Sequence, residues 1–207
     1  MKRSITHGPE VAVFDLGKVL LDFDYGLALE RLVPSKEDAP GLNQETLMES
    51  PVFNQFERGE LDERAFYREL KDLAGFADSF DGFRSKYCDI FTEISVMIDA
   101  WERLRSVGVA TWILSNTNAL AVDWIRERYP FFNQFDGHVC SHEVGSMKPD
   151  AAIYEALEAA TGATGPNILY VDDRLENVVA AAQRGWRVVH QTNPSASRSL
   201  MLAAFGL

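Results

Sequence analysis

Four short apolar runs in this chain each lead into a residue with useful chemistry, and that pattern restricts the fold more than any other feature. Val11–Phe14 (VAVF) runs into Asp15, and Val109–Leu114 (VATWIL) runs into Ser115 and Asn116. Gly137–Cys140 (GHVC) leads into a polar loop ending at Lys148 and Pro149, and Asn167–Val171 (NILYV) leads into Asp172 and Asp173. The first run is apolar on both alternating faces and rich in β-branched residues, as a strand buried on both sides of a parallel sheet is. The other three read the same way. A fifth run, Trp186–His190, follows Gly185, which suits the residue just past a helix C-terminus. Helical periodicity separates the runs, over Val96–Val107, Ala119–Arg128, Asp150–Thr161 and Leu175–Arg184. Such alternation predicts an α/β fold, a Rossmann-like doubly wound parallel sheet with helices on both faces.

Residues 25 to 90 break the rhythm. Leu27–Val33, Asn43–Met48, Asp62–Leu73 and Ser79–Ile90 read as helices, punctuated by Pro34, Pro40, Pro51, Gly59 and Gly75. The expected organisation is a core of residues 1–22 and 91–207, with a helical cap of residues 23–90 inserted after the first strand. The end of the chain, 191–207, reads as a loop containing Pro194 followed by an apolar helix.

Composition narrows the partners. The formal net charge of −11 is a poor match for a phosphate backbone, so no nucleic acid is expected. No apolar run approaches the roughly 20 residues that cross a bilayer. The opening MKRSITHGPE has basic residues but no apolar stretch behind them, so it does not read as a secretory leader. The expectation is a cytoplasmic monomer or homodimer that does not engage membranes. Cys88 and Cys140 make neither a disulfide framework nor a zinc spacing, and read as packed thiols.

Ligands of open parallel sheets bind beyond the carboxyl ends of the strands. A polar residue after one strand is an ordinary turn. Four ends that gather a carboxylate, a hydroxyl, an ammonium and an acidic pair are harder to assign to chance. The chemistry they suggest is phosphoryl transfer through an aspartate, since a carboxylate can attack phosphorus and form an acyl phosphate. Asp15 would repel a dianionic phosphate without intervening positive charge. Asp15 and Asp173 suit Mg²⁺, and Lys148 brings a second positive charge. Ser115, backbone N–H groups at Asn116 and the start of the next helix supply donors. Catalysis of this kind is mostly positioning and charge neutralisation.

Over roughly Val11 to His190 the sequence resembles the haloacid dehalogenase superfamily of hydrolases, particularly phosphatases with a helical cap after the first strand. The resemblance is carried by VAVFDLGKVLLDFD, WILSNT, SHEVGSMKPDAAIY and YVDDRLEN, in that order. It implies a nucleophile at Asp15, phosphate held by Ser115 and Lys148, and Mg²⁺ held by Asp15, the Gly17 carbonyl and Asp173. Asp172 and Asn177 would support that set. The run FDLGKVLLDFD with FERGELDERAF is similar to a bacterial subgroup acting on α-D-glucose 1-phosphate. The implied substrate is a small phosphorylated molecule, with a sugar 1-phosphate as the sharpest expectation.

One position departs from the superfamily pattern. Most of its phosphatases have an aspartate two residues after the nucleophile as general acid and base, and here Gly17 stands there. General acid–base catalysis contributes about 10²–10⁴-fold, so the difference matters. Either the leaving group needs less protonation, as an anomeric sugar oxygen does, or a donor comes from elsewhere. Asp22 and Asp24 are candidates that read equally as solvated loop acids. Lys18 either contacts phosphate or reaches solvent. His7, His138, His142 and His190 show no ligand spacing, although His142 lies in the loop before Lys148.

Phe53, Phe56, Phe66, Tyr67, Phe76, Phe80 and Phe83 read as the core of the helical insert, with one or two facing the crevice. Glu57 and Arg58, beside Gly59, read as a solvated helix end or as sugar contacts. Asp24 and Tyr25 suit a hinge whose closure excludes water. Competing readings are a metal-free 2-haloacid dehalogenase, disfavoured by the repulsion of Asp172 and Asp173 against Asp15, and a degenerate phosphate-binding protein. A signalling receiver lacks a helical insert at this point.

Overall fold

The computed structural model describes residues 8–33 and 39–207. The reading of the first residues, including His7, and the punctuation at Pro34 lie outside them. The sheet is built from β1 (Val11–Phe14), β4 (Ala110–Ser115), β5 (Gly137–Cys140), β6 (Ile168–Asp172) and β7 (Arg187–His190). Their order is β5-β4-β1-β6-β7, and every neighbouring pair is parallel. β1 is central. Phe14 pairs with Ile113 on one side and Val171 on the other. The chain winds outward from β1 through β4 and β5, then crosses back to β6, so the order reverses beside β1. A crevice opens at that reversal, beyond the strand ends.

The apolar character of β1 on both faces has a direct cause. Ala12 and Phe14 pack with Trp101, Leu104 and Met201, while Val11 and Val13 pack with Ile153, Tyr154, Leu157 and Trp186. The first group comes from α6 (Ser95–Ser106) and α11 (Pro194–Ala204). The helical residues of the second come from α9 (Ala151–Thr161). α7 (Ala119–Arg128), α8 (Ser141–Val144) and α10 (Leu175–Gln183) complete the helices that follow the sheet strands.

Between β1 and α6 lie α1 (Tyr25–Leu32), α2 (Gln44–Met48), α3 (Pro51–Glu57), α4 (Glu63–Ala74) and α5 (Phe80–Cys88). Their interior is aromatic. Phe56 stacks on Phe66 with centroids 4.1 Å apart, and Phe83 stacks on Phe76 at 5.5 Å and on Tyr87 at 5.1 Å. Leu120 and Trp124 of α7 join the same cluster, so the insert and the α/β part share buried surface.

Three local expectations change. Pro51 opens α3 instead of interrupting the chain: Ser50 caps the helix by accepting from the Phe53 N–H at 3.2 Å, and a first-turn proline forfeits no hydrogen bond. Pro194 likewise begins α11, behind an Asn193 cap, instead of sitting in a loop. An antiparallel ribbon of β2 (Leu21–Phe23) and β3 (Phe91–Glu93) bridges the entry and exit of the insert, with Phe23 opposite Phe91. Strands of three residues carry too little alternation to be read from sequence. Among the described residues no helix is long and apolar enough to cross a membrane. Cys88 and Cys140 are free and buried, and burial pushes the Cys88 thiol up to about 12.

Candidate active site

Asp15 emerges from β1 level with Asp172 of β6. Its backbone N–H donates to Val171 at 2.9 Å, and its Oδ1 accepts from the Leu16 N–H at 2.7 Å. The Lys148 ammonium sits 2.9 Å from Asp15 and 2.7 Å from Asp172, and donates to the Leu114 carbonyl at 2.9 Å and the Tyr170 hydroxyl at 3.1 Å. This lysine is buried at the centre of the strand ends.

Asp172 has little capacity left for anything else. Its carboxylate accepts from Lys148, from the Tyr170 hydroxyl, from the Arg174 N–H at 2.7 Å and from Asn177 Nδ2 at 3.1 Å. Asn177 thus steadies Asp172, which in turn holds Lys148. Asp173 is half-buried and lines the open crevice.

The charge balance is acidic. Among the described residues, carboxylate oxygens of Asp15, Asp172 and Asp173 come within 4.8 Å of one another. Burial pushes the Asp15 carboxyl up to about 8; Lys148 opposes this, and Asp172 and Asp173 add to it. Burial, then repulsion from Asp172, also raises Asp173. Burial works against the Lys148 charge, but Asp15 and Asp172 outweigh it and hold the ammonium above its ordinary value. Three carboxylates against one ammonium leave an excess of negative charge that a divalent cation would neutralise. Hard oxygen donors are the ligands Mg²⁺ prefers. With Asp172 saturated, Asp15 and Asp173 are the carboxylates that fit, and Gly17 lines the same space.

Ser115 ends β4 and is buried; among the described residues its hydroxyl makes only a long contact, 3.4 Å, to the Asn116 carbonyl. The Asn116 side chain clamps the backbone of Lys148, donating to its carbonyl at 2.9 Å and accepting from its N–H at 2.7 Å. That side chain is therefore committed to placing Lys148. Thr117 is tied to Ser141 by a reciprocal pair of hydrogen bonds at 2.9 and 3.0 Å, and Asn118 caps α7.

Lys18 lines the cavity with a left-handed backbone (φ 57°), but its ammonium turns to Asp22 and to the Phe23 carbonyl at 2.8 Å, over the Phe23 ring. The hydrogen bond from Lys18 holds the Asp22 carboxyl below its ordinary value, so it is a poor proton donor at neutral pH. Asp24 caps α1 by accepting from Gly26 at 2.8 Å. Neither acid lines the main cavity. At Gly17 a Cβ would come 2.8 Å from the Phe23 ring, so any side chain there must displace that ring.

His142 does not line the cavity; its Nδ1 lies 3.1 Å from the Thr117 carbonyl. His190 Nε2 lies 2.9 Å from the Asp173 carbonyl. His138, Cys140 and Glu143 also place ligand atoms within 4.8 Å of one another, which linear spacing did not reveal, but burial strongly disfavours the Cys140 thiolate.

The cavity encloses about 990 Å³. Its floor carries Asp15, Ser115, Lys148 and Asp173. Its opposite wall belongs to the insert, with Asn43, Gln44, Glu45, Glu49, Asn54 and Glu57 beside the apolar Met48 and Phe53. Two contributors escaped the sequence reading. Tyr170 shares a face of β6 with Asp172, two residues on, and that spacing was the available signal. Arg174 lines the cavity from the start of α10.

Residues 9–185 match the haloacid dehalogenase-like hydrolase family, and the chain belongs to it. It is accordingly an enzyme of the hydrolase class. A sesquiterpene phosphatase of Aspergillus oryzae is 29% identical over 190 residues, covering 91% of this chain and 92% of that one. A D-ribitol-5-phosphate phosphatase of Bacteroides thetaiotaomicron is 23% identical over 188 residues, covering 87% and 91%. A haloacid dehalogenase family enzyme of Bacteroides thetaiotaomicron, solved with magnesium and inorganic phosphate, superposes with a TM-score of 0.77 at 20% identity, covering 88% of this chain and 94% of that one.

Proposed function

We propose that the protein is a magnesium-dependent phosphatase of small phosphomonoesters, with sugar or polyol phosphates as its substrate class and a sugar 1-phosphate as the first to test. The observation that carries this reading is the placement of Asp15 on one cavity floor with Lys148, 2.9 Å away, and with Ser115 and Asp173. The phosphatase relatives support it.

Asp15 attacks phosphorus and takes the phosphoryl group as an acyl phosphate, and water then releases phosphate. Lys148, held by Asp172 and Tyr170, faces the non-bridging oxygens with its position already set. The Ser115 hydroxyl and the backbone after it donate to the same oxygens. Asp15, the Gly17 carbonyl and Asp173 would hold Mg²⁺, which supplies charge neutralisation at the phosphoryl group. Lys18 and Asn116 act on the substrate less directly, Lys18 through its hold on Asp22 and the Phe23 carbonyl and Asn116 through the Lys148 clamp.

The insert's helices serve as a cap domain, entered through the hinge at Asp24 and Tyr25 directly after β2 of the β2–β3 ribbon. Its wall decides the substrate. Asn43, Gln44, Glu45, Glu49 and Asn54 match the hydroxyls of a sugar or polyol, whereas an isoprenoid chain would desolvate them without compensation. Phosphate release from α-D-glucose 1-phosphate, ribitol 5-phosphate, farnesyl phosphate and p-nitrophenyl phosphate, each with Mg²⁺ and with EDTA, tests the reading. EDTA-sensitive turnover of the polyhydroxylated substrates is expected. Preference for farnesyl phosphate overturns the substrate class, and halide release from 2-haloacids without phosphate release overturns the phosphatase.

A further inference from the structure

We propose that Glu57, carried by the helical insert, protonates the leaving oxygen in place of the acid missing at Gly17. The inference rests on the phosphatase reading above and supplies the group that reading lacks. Position 17 has no carboxyl, and the Phe23 ring occupies the space a side chain there would need. Asp22 and Asp24 are committed to Lys18 and to the α1 cap.

Glu57 is the last residue of α3, and it lines the same cavity as Asp15 and Lys148. Phe53 and Asn54 line that cavity too, and the spacing of 53, 54 and 57 puts all three on one helical face. Glu45 and Glu49 are exposed, whereas Glu57 is half-buried and has no side-chain hydrogen-bond partner among the described residues.

The end of α3 is docked on the core. Gly59 is left-handed (φ 71°), and a Cβ there would collide with the His142 carbonyl, so the chain passes directly against the α8 backbone. Arg58 reaches Asp150, two residues beyond Lys148, at 3.4 Å. These contacts hold Glu57 over the strand ends.

Its protonation state agrees with the role. Burial pushes the Glu57 carboxyl up to about 7, against the pull of Lys148 and Arg174. Lys18, Glu45, Glu49, Asp15 and Asp173 are the other charged groups on the cavity walls. A carboxyl that titrates near neutrality can both give and take a proton at working pH. As the Asp15–phosphorus bond forms and the ester P–O bond breaks, the electron pair goes to the leaving oxygen, which takes the Glu57 proton. In the second step the attacking water gives a proton to the Glu57 carboxylate, and Asp15 is released with phosphate.

The test is single-turnover phosphoenzyme formation by the Mg²⁺-loaded full chain, from a sugar 1-phosphate and from p-nitrophenyl phosphate. An anomeric alkoxide needs protonation less than an ordinary sugar alkoxide does, but it is far more basic than the nitrophenolate, which leaves without a proton. Glu57→Gln is expected to slow transfer from the sugar phosphate by about 10²–10⁴-fold and transfer from the aryl phosphate by less than about tenfold. Glu57→Asp is expected to recover part of the loss. Similar losses on both substrates, in a variant that melts as wild type does, overturn the assignment. The wild-type pH profile serves if the variant does not fold. The ratio of sugar to aryl transfer is expected to fall as pH rises through about 7, and a flat ratio overturns the assignment. A wild-type chain that forms no phosphoenzyme from any substrate overturns the phosphatase reading itself, an outcome distinct from the others.

Discussion

The floor and the facing wall of the cavity are built by different physics. On the floor, sheet register places the functional groups. Asp15, Ser115 and Asp172 lie at the ends of adjacent parallel strands, and backbone pairing brings them together. On the wall, Phe53, Asn54 and Glu57 belong to a helix of seven residues, located by an aromatic core and by contacts at Arg58 and Gly59. The floor therefore resists displacement, while the wall depends on how the insert docks. Chemistry common to many phosphoesters suits the floor, and selection among them suits the wall.

Substitutions on the two sides should separate them. The largest effect is expected from Asp15→Asn, which removes the proposed nucleophile and should lower phosphate release from every substrate by at least about 10⁴-fold. Lys148→Met leaves Asp15 and Asp172 without their buried cation. Breaking such a pair costs about 3–5 kcal/mol, so a denaturant titration should show a matching loss of stability.

Tyr170→Phe deletes a hydroxyl shared by Lys148 and Asp172. A loss of about 2 kcal/mol is expected by the same titration, with weaker phosphate binding by calorimetry. On the wall, Gly59→Ala forces a Cβ into a left-handed position against His142. It should cost about 1–3 kcal/mol and lower turnover of sugar phosphates more than of p-nitrophenyl phosphate. Equal loss on both substrates would mean that wall and floor move as one unit. The smallest effect is expected from Arg58→Ala, because an exposed ion pair contributes at most about 1 kcal/mol; differential calorimetry would measure it.

The legibility of the site follows the same division. Asp15, Ser115 and the Asp172–Asp173 pair stood out because a buried parallel strand is an unbroken apolar run, so the residue that ends it is conspicuous, whereas Lys148 was reached through the segment that follows β5. Gly17 was visible as a departure, but Phe23 filling the space beside it was not. The supporting contacts of Asn116 and Tyr170 were also hidden, since hydrogen-bond partners 32 and 22 residues from Lys148 leave no periodic trace. Glu57 looked like a solvated helix end because nothing local reveals that the helix end is pressed against His142.

The amino-acid sequence by itself determined the parallel α/β framework, the helical insertion after β1 and the set of groups at the strand ends. Periodicity and strand termination are local properties, written within a few residues. Only the tertiary structure decided which carboxylates are saturated, where Lys18 turns, and which helices of the insert line the cavity with Asp15. Those outcomes depend on packing between distant segments, where burial and the field of neighbouring charges change what a side chain can do.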